Sequence, residues 1–252
     1  MSVTYDYKGK LVVVTGGARG LGFAMAQRLI NSNAKVVITD LQEESLKSAC
    51  EQLGDNAAYR VHNVTAYDST PALVDDIEAK EGPIFGLVNN AGVHLKKPIW
   101  DVTDEEWLNV VNINQNGLFV MTREVLRHMR PRKDGSIVNV SSMGGLLALP
   151  TAPAYVTTKT AVIGLTRNLA VDLGPENIRV NAICPGFIDT EMTRAVLDGD
   201  PVRGAKIKGR IPMPRLAQPE EIAAMVAFLC SEDAAYVSGQ SIAVDGGFSV
   251  GF

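Results

Sequence analysis

The chain has 252 residues, of which 46% are hydrophobic and 21% are charged, a composition typical of a globular protein. Its 28 acidic and 24 basic residues give a net charge of −4, which argues against nucleic acid or an anionic membrane as a partner. No cysteine or histidine stands at ligand spacing from another, so no metal site is predicted. We expect the three cysteines to be buried thiols in a reducing compartment: Cys50, Cys184 and Cys230.

The amino-terminal text MSVTYDYKGK lacks the apolar core of a signal peptide. No run of about 18 apolar residues is present to span a membrane. We therefore expect a cytoplasmic protein.

Strand and helix patterns alternate along the chain. The first strand is predicted in KLVVVTGG, where four successive aliphatic residues suit a strand covered on both faces. A helical pattern, LGFAMAQRLINS, follows the glycines. Further strands are predicted, in chain order, in AKVVITD, AAYRVHNV, PIFGLVNNAG, GSIVNVSS, IRVNAICPG and QSIAVDGG. This alternation predicts a doubly wound, Rossmann-type parallel sheet with helices on both faces, a three-layer α/β/α sandwich.

One domain is expected over residues 1–252, because no linker or internal repeat interrupts the pattern. The segment from about 190 to 215 is irregular, polar and interrupted by prolines and glycines. Ligands in open α/β sheets bind beyond the carboxyl ends of the strands, so this segment is a candidate substrate lid. A surface excursion without such a role is the alternative.

The stretch VVVTGGARGLG places Gly16, Gly20 and Gly22 between the first strand and the first helix. Glycines let the backbone turn sharply and approach a pyrophosphate, which the helix N-terminus would bind through its unpaired N–H groups. The spacing T-G-x-x-x-G-x-G differs from the G-x-G-x-x-G of most dinucleotide folds.

Asp40 closes the second predicted strand, where a carboxylate can accept hydrogen bonds from both ribose hydroxyls of an adenosine. Its charge would repel a 2′-phosphate, which favours NAD over NADP. Arg19 in the glycine loop is the counter-argument, whereas Leu41 supplies no cation. Asp40 could also be the N-cap of the following helix.

Tyr155 and Lys159 stand four residues apart, one helical turn, where side chains meet whether or not they have a function. Other motifs accompany them. Together with Thr15–Gly22, NNAG at 89–92, Ser142 and PGFIDT at 185–190, the pair resembles the classical short-chain dehydrogenases/reductases over nearly the whole chain. The resemblance implies an NAD(P)-dependent oxidoreductase that acts on CH–OH groups and assembles as a homotetramer.

The resemblance also implies catalytic roles. Tyr155 would be the general acid/base, and the ammonium of Lys159 would lower the pKa of Tyr155 and hold the nicotinamide ribose. Ser142 would orient the substrate oxygen, with Ser141 the alternative one position away. Asn114 would hold a water that links Lys159 to solvent, and Asn112 is the alternative there.

The cofactor would be NAD. One departure from the family is Asn63, where the family usually has aspartate before the valine that flanks adenine, so modestly altered adenine contacts are expected. The residues expected to contact the cofactor are Gly16, Arg19, Gly20, Leu21, Gly22, Asp40, Leu41, Asn63, Val64, Asn90, Ala91, Gly92, Tyr155, Lys159, Pro185, Gly186, Ile188 and Thr190.

The sequence says less about the substrate than about the fold, the reaction type or the cofactor. Ser142, Tyr155 and His94 are candidate substrate contacts, and Lys96 and Lys97 could meet a carboxylate or remain solvated. The text after NNAG is similar to that of gluconate 5-dehydrogenases, which favours a polyol, sugar or sugar acid. The apolar MGGLLALPTAPA would suit a small aliphatic alcohol or diol, and a 3-oxoacyl thioester reductase is a further alternative. A dinucleotide-sensing protein without turnover is the non-enzyme alternative, and a sugar-nucleotide epimerase is disfavoured by chain length and glycine spacing.

Overall fold

The computed structural model describes residues 5–190, 193–194, 199 and 201–251. Seven parallel strands form one sheet in the order β3-β2-β1-β4-β5-β6-β7. Each lies in one of the predicted stretches, which confirms the doubly wound fold. The strands β1 to β7 are Leu11–Thr15, Lys35–Asp40, Ala57–Val61, Ile84–Asn89, Gly135–Val140, Ile178–Pro185 and Ser241–Val244.

Helices cover both faces of the sheet. None in the described part of the chain is long and apolar enough to cross a membrane. The helices α1 to α8 are Gly20–Ile30, Glu43–Leu53, Thr70–Glu81, Asp104–Val111, Leu118–Arg132, Pro153–Leu173, Pro201–Arg210 and Pro219–Cys230.

The alternation of side chains along each strand divides the core into two layers. Val12 and Val14 point to the face where α1, α2 and α8 pack, whereas Val13 points to the face of α3, α5 and α6. All three are fully buried, as expected for a strand in the middle of a parallel sheet. Cys184 and Cys230 are buried, but Cys50 is only half-buried, so the expectation for the cysteines was wrong in its case.

Strand β1 pairs with β2 on one side and with β4 on the other, so the direction of chain winding reverses between β1 and β4. In open α/β sheets the ligand crevice lies at this reversal, beyond the carboxyl ends of the strands. The glycine loop after β1 and the NNAG text after β4 therefore adjoin the same crevice.

A π-helical turn, Asn112–Gly117, separates α4 from α5. The sequence pattern indicates one continuous helix from Asp104, and the structure differs because this turn inserts an extra residue into the helical register. Helix α4 begins with a capping box in which Thr103 and Glu106 satisfy each other's backbone N–H groups.

Candidate active site

The glycine loop between β1 and α1 is compact on one side and open on the other. Gly16 and Gly20 have φ angles of 65° and 55°, the left-handed region that favours glycine. A Cβ on Gly22 would lie 2.0 Å from the Gly16 carbonyl oxygen, whereas a Cβ on Gly20 would meet nothing within 4 Å. The loop therefore leaves room for a ligand beside Gly20, at the N-terminus of α1.

Thr15 and Asn90 fasten this loop to the end of β4. The Thr15 hydroxyl accepts hydrogen bonds from the backbone N–H groups of Asn90 and Ala91, each at 3.0 Å. The Asn90 amide in turn donates to the carbonyls of Thr15 and Gly16, at 3.0 and 2.9 Å. The Asn90 side chain thus holds the glycine loop against the end of β4.

The contrast between two glycines gives a stability test of this loop. We expect Gly22→Ala to destabilise the protein by about 3 kcal/mol and to weaken cofactor binding, because the added methyl overlaps the Gly16 carbonyl. Gly164→Ala, in the exposed middle of α6 with open space around it, should instead stabilise by about 0.5–1 kcal/mol. Urea denaturation and NADH titration measure both effects. A Gly22→Ala variant as stable as the wild type would contradict the packing described.

Asp40 is held by the glycine loop and is not a helix cap. Its carboxylate accepts hydrogen bonds from the backbone N–H groups of Ala18, at 3.2 Å, and Leu41, at 2.8 Å. Helix α2 begins later, with Gln42 as its N-cap residue, so the N-cap alternative was wrong. Arg19 is exposed and lines an open cleft against α2, and Leu41 is also exposed.

Asn63 forms a local turn after β3. Its side-chain oxygen accepts hydrogen bonds from the backbone N–H and the hydroxyl of Thr65, at 3.0 and 2.9 Å. The oxygen that an adenine amino group would need is therefore engaged within the turn. Val64 packs against Gly117, and a Cβ added to Gly117 would lie 2.8 Å from the Val64 carbonyl oxygen.

Ser142, Tyr155 and Lys159 come together where β5 ends and α6 begins. The Ser142 hydroxyl accepts a hydrogen bond from the backbone N–H of Gly144 at 3.0 Å, and it lies close enough to the Tyr155 hydroxyl to influence the pKa of that group. Lys159 lies one turn along α6 with 5% of its surface exposed, and its Nζ donates to the Val140 carbonyl at 2.8 Å. That Nζ is 5.8 Å from the centroid of the Tyr155 ring.

Burial dominates the proton affinities of this group. It raises the pKa of the Tyr155 hydroxyl, and the neighbouring Ser142 hydroxyl acts in the opposite direction. It also lowers the pKa of Lys159 to about 8. Burial is thus the largest influence on the Tyr155 pKa, and the Lys159 ammonium donates to the Val140 carbonyl. That Lys159 lowers the pKa of Tyr155 stays a prediction.

Asn114 lies in the π-helical turn, fully buried beside this group. Its side chain accepts from the Val93 N–H at 2.8 Å and donates to the Val93 carbonyl at 2.9 Å and the Thr158 hydroxyl at 3.3 Å. A Cβ on Gly92 would contact both the Asn114 side chain, at 3.2 Å, and the Lys159 Nζ, at 3.4 Å. In the alternative residue, Asn112, the backbone carbonyl accepts from the Tyr67 hydroxyl at 3.2 Å and the side-chain oxygen accepts from the Asn116 amide at 3.0 Å.

The loop after Gly92 carries the predicted substrate contacts. The ring of His94, an exposed residue, lies against the Tyr155 ring, with centroids 4.4 Å apart at 49°. Lys97 was a candidate contact for a substrate carboxylate, but its ammonium forms an ion pair with the Glu106 carboxylate at 2.8 Å. Lys96 is exposed.

The PGFIDT loop after β6 is held by two neighbouring segments. Gly186 donates to the Val244 carbonyl at 3.0 Å, and a Cβ on Gly186 would lie 2.6 Å from the Cβ of Asp245. Ile188 is buried and forms a parallel bridge with Ala217. The Thr190 hydroxyl lies 3.1 Å from that of Thr193. Beyond Thr190, residues 191–192, 195–198 and 200 of the predicted lid lie outside the described residues.

Three residues to which the sequence analysis gave no role in the site support it: Thr15, Thr158 and Cys184. The Cys184 thiol is buried against the Ser141 side chain and the Ser142 backbone. Burial raises the pKa of this thiol, and the nearby charge of Lys159 acts in the opposite direction. Ser141 itself donates to the Lys159 carbonyl at 2.8 Å, so it supports α6 from beneath. Side-chain alternation places Ser141 and Cys184 on one face of neighbouring strands, which was the available signal.

The residues present fit a dinucleotide. A glycine turn with free space beside Gly20 precedes α1, and the carboxylate of Asp40 lies at the end of β2. Tyr155, Ser142 and Lys159 lie at the same edge of the sheet. Among the described residues, no group of three or more His, Cys, Asp or Glu side chains is placed to hold a metal ion.

Fold and site together define a nicotinamide-dinucleotide oxidoreductase built on a doubly wound sheet. A family model described as enoyl-(acyl carrier protein) reductase matches residues 16–249. The 5-keto-D-gluconate 5-reductase of Escherichia coli is 37% identical over 253 residues, 99% of each chain. The 3-oxoacyl-[acyl-carrier-protein] reductase of Chlamydia muridarum is 37% identical over 95% of this chain and 97% of its own. The chain therefore belongs to the short-chain dehydrogenase/reductase family.

Two solved structures are similar over the whole chain. A putative gluconate dehydrogenase from Agrobacterium tumefaciens superimposes with a TM-score of 0.95 at 31% identity, covering 100% of both chains. An actinorhodin polyketide ketoreductase variant with NADPH gives a TM-score of 0.91 at 34% identity, covering 99% of this chain and 100% of its own. The similar proteins thus include enzymes named for sugar acids and enzymes named for ketoacyl or polyketide substrates.

Proposed function

We propose that the protein is an NAD-dependent oxidoreductase that interconverts a secondary alcohol and a ketone on a polyol, sugar or sugar acid. The observation that carries the reaction type is the neighbouring pair of hydroxyl groups of Tyr155 and Ser142, with the buried Lys159 one turn away, at the carboxyl edge of the sheet. A hydroxyl pair of this kind can bind a carbonyl oxygen and supply its proton.

Each side chain has a proposed task. A bound nicotinamide would accept or donate the hydride and, in its oxidised form, bring a positive charge. The Tyr155 Oη takes the proton from the substrate hydroxyl during oxidation and returns it to the carbonyl oxygen during reduction. The Ser142 hydroxyl holds that oxygen beside Tyr155, and Lys159 would bind the nicotinamide ribose and support proton movement.

Asn114 is proposed to act mainly through the loop that it fixes. Because its amide engages both backbone groups of Val93, it sets the position of His94 against the Tyr155 ring. A water link from Lys159 to solvent would pass beside this turn.

The preference for NAD is argued from Asp40. Its carboxylate is anchored to the glycine loop, so it cannot swing away to make room for a 2′-phosphate. Repulsion between the two negative charges would then disfavour NADP. Arg19 is the feature that favours NADP, since it lines the cleft on the outer side of the loop.

The substrate class rests on the similarity to a 5-keto-D-gluconate reductase and on the exposed imidazole of His94 beside Tyr155. A 3-oxoacyl thioester reductase is the second candidate. An apolar cluster that includes Met143, Leu147 and Leu149 adjoins Ser142 and would suit an acyl chain.

The same proposal includes a homotetramer with residues 190–215 as a substrate lid. Exposed apolar side chains on α4, α5 and α6, namely Leu108, Phe119 and Val171, would be covered by helix pairing between subunits. Light scattering after size exclusion measures the assembly.

A steady-state panel tests the proposed function. Sugar acids, polyols, small secondary alcohols and 3-oxoacyl thioesters are each assayed with NAD(H) and NADP(H). We expect the highest kcat/KM with NAD(H) and a polyhydroxylated substrate. NADPH-driven turnover of 3-oxoacyl thioesters without activity on polyhydroxylated compounds would reject the proposal.

A further inference from the structure

The carboxyl-terminal part of the lid segment and the residues directly after it carry a positive charge, in contrast to the acidic chain as a whole. From residue 201 to residue 219 there are five lysines or arginines and no aspartate or glutamate, in a chain whose net charge is −4. Helix α7 contributes most of these cations. A local excess of positive charge on an acidic protein raises the concentration of anions at that surface.

The cations in the middle of the lid differ from those at its two ends. Arg194 pairs with Asp189 at 2.6 Å, and Arg215 pairs with Glu221 at 2.6 Å. In contrast, three exposed cations on α7 have no carboxylate within 4.0 Å in the described part of the chain: Lys206, Lys208 and Arg210. The end cations are thus neutralised by carboxylates of neighbouring residues, whereas among the described residues the three on α7 keep an uncompensated positive charge.

Helix α7 lies beside the catalytic group. Its buried residues Ile207 and Ile211, the latter directly after the helix, pack with Met143, the residue that follows Ser142. Phe248 belongs to the same cluster, lies 5.3 Å from the Phe187 ring and has the Arg210 guanidinium 4.6 Å from its own ring. The buried side of the helix thus packs on the loops after β5 and β6, and Lys206, Lys208 and Arg210 are exposed on the same helix.

We infer that the substrate of this enzyme is a small anion, a hydroxy or keto acid, and that Lys206, Lys208 and Arg210 draw it into the site. This inference rests on the proposed function and narrows it, because neutral polyols and sugars would gain nothing from the three charges. The lysines act at a distance on the approaching carboxylate, so their contribution is screened by salt.

The experiment compares a charged substrate with a neutral one. NADH-dependent reduction of 5-keto-D-gluconate and of D-fructose is followed from about 20 to about 500 mM NaCl. We expect kcat/KM to fall about tenfold for the keto acid and less than about twofold for fructose. The double variant Lys206→Gln/Lys208→Gln should lower kcat/KM for the keto acid about five- to tenfold at low salt, mainly through KM, and should remove most of the salt dependence.

A charge-matched control separates local from overall charge. Lys8→Gln/Lys35→Gln removes two exposed lysines at the opposite, amino-terminal edge of the sheet. It should leave both substrates and their salt dependence unchanged. An equal effect of the two double variants, or none from either, would overturn the inference. Salt dependence confined to a 3-oxoacyl thioester on an acidic carrier protein would also overturn it, in favour of a macromolecular substrate.

Binding distinguishes failure of this inference from failure of the proposed function. Calorimetry of the NADH-saturated enzyme with D-gluconate and with sorbitol needs no turnover. Salt-sensitive binding of gluconate that Lys206→Gln/Lys208→Gln weakens would support the anion site even if neither ketone were reduced. Equal binding of gluconate and sorbitol, or binding of neither, would reject it.

Discussion

Tyr155→Phe is expected to lower kcat by about two to four orders of magnitude while NADH binding stays nearly unchanged. The substitution removes the only atom proposed to exchange a proton with the substrate and keeps the ring that packs against His94. Stopped-flow or steady-state rates measure the first effect, and fluorescence titration of NADH measures the second. The loss should not depend on which substrate of the panel is used.

Tyr236→Phe is the matched control, because Tyr236 is fully exposed and should tolerate the change at full activity. Thermal unfolding of both variants shows whether lost activity reflects lost folding. If Tyr155→Phe kept near-wild-type kcat, Tyr155 would not be the proton donor, and the catalytic assignment would fail with it.

Asp40→Asn is expected to shift the ratio of kcat/KM for NAD to that for NADP by about 100-fold towards NADP. Asparagine has nearly the same shape but only one acceptor oxygen, so it can keep one of the two hydrogen bonds that the Asp40 carboxylate accepts from Ala18 and Leu41. The change in cofactor preference is expected from the loss of the negative charge. Initial rates with the two cofactors at a fixed substrate concentration give the ratio.

Asp55→Asn controls for the change in net charge, since Asp55 is exposed in the turn after α2 and should leave the ratio as it is. A ratio that Asp40→Asn leaves unchanged would mean that side-chain bulk at Asp40 or Leu41 excludes the phosphate. Arg19→Gln then tests the opposing cation, and it should reduce any residual use of NADP.

The strands could be predicted because a buried parallel strand leaves a local signal, an uninterrupted apolar run such as Leu11–Thr15. The positions of Ser142, Tyr155 and Lys159 at one edge of the sheet follow from the same reasoning together with the family resemblance. Partners between distant segments leave no such signal. The Asn90 amide reaches the carbonyls of Thr15 and Gly16, which are 74 or more residues away.

The π-helical turn was missed for a different reason. One extra residue in a turn barely alters the apolar periodicity of the helical pattern from Asp104 to Met129, and the turn is stabilised by the residues packed around it. Likewise, the proton affinity of Tyr155 depends on burial in the folded protein, which the spacing of tyrosine and lysine does not report.

The contact between Gly117 and Val64 joins the two ends of the cofactor crevice. Gly117 ends the turn that carries Asn114, and Val64 belongs to the loop expected to flank adenine, so a displacement at either place would be transmitted to the other. A side chain larger than glycine at position 117 would have to displace Val64, so a substitution beside the Asn114 turn is expected to alter the adenine end of the crevice as well.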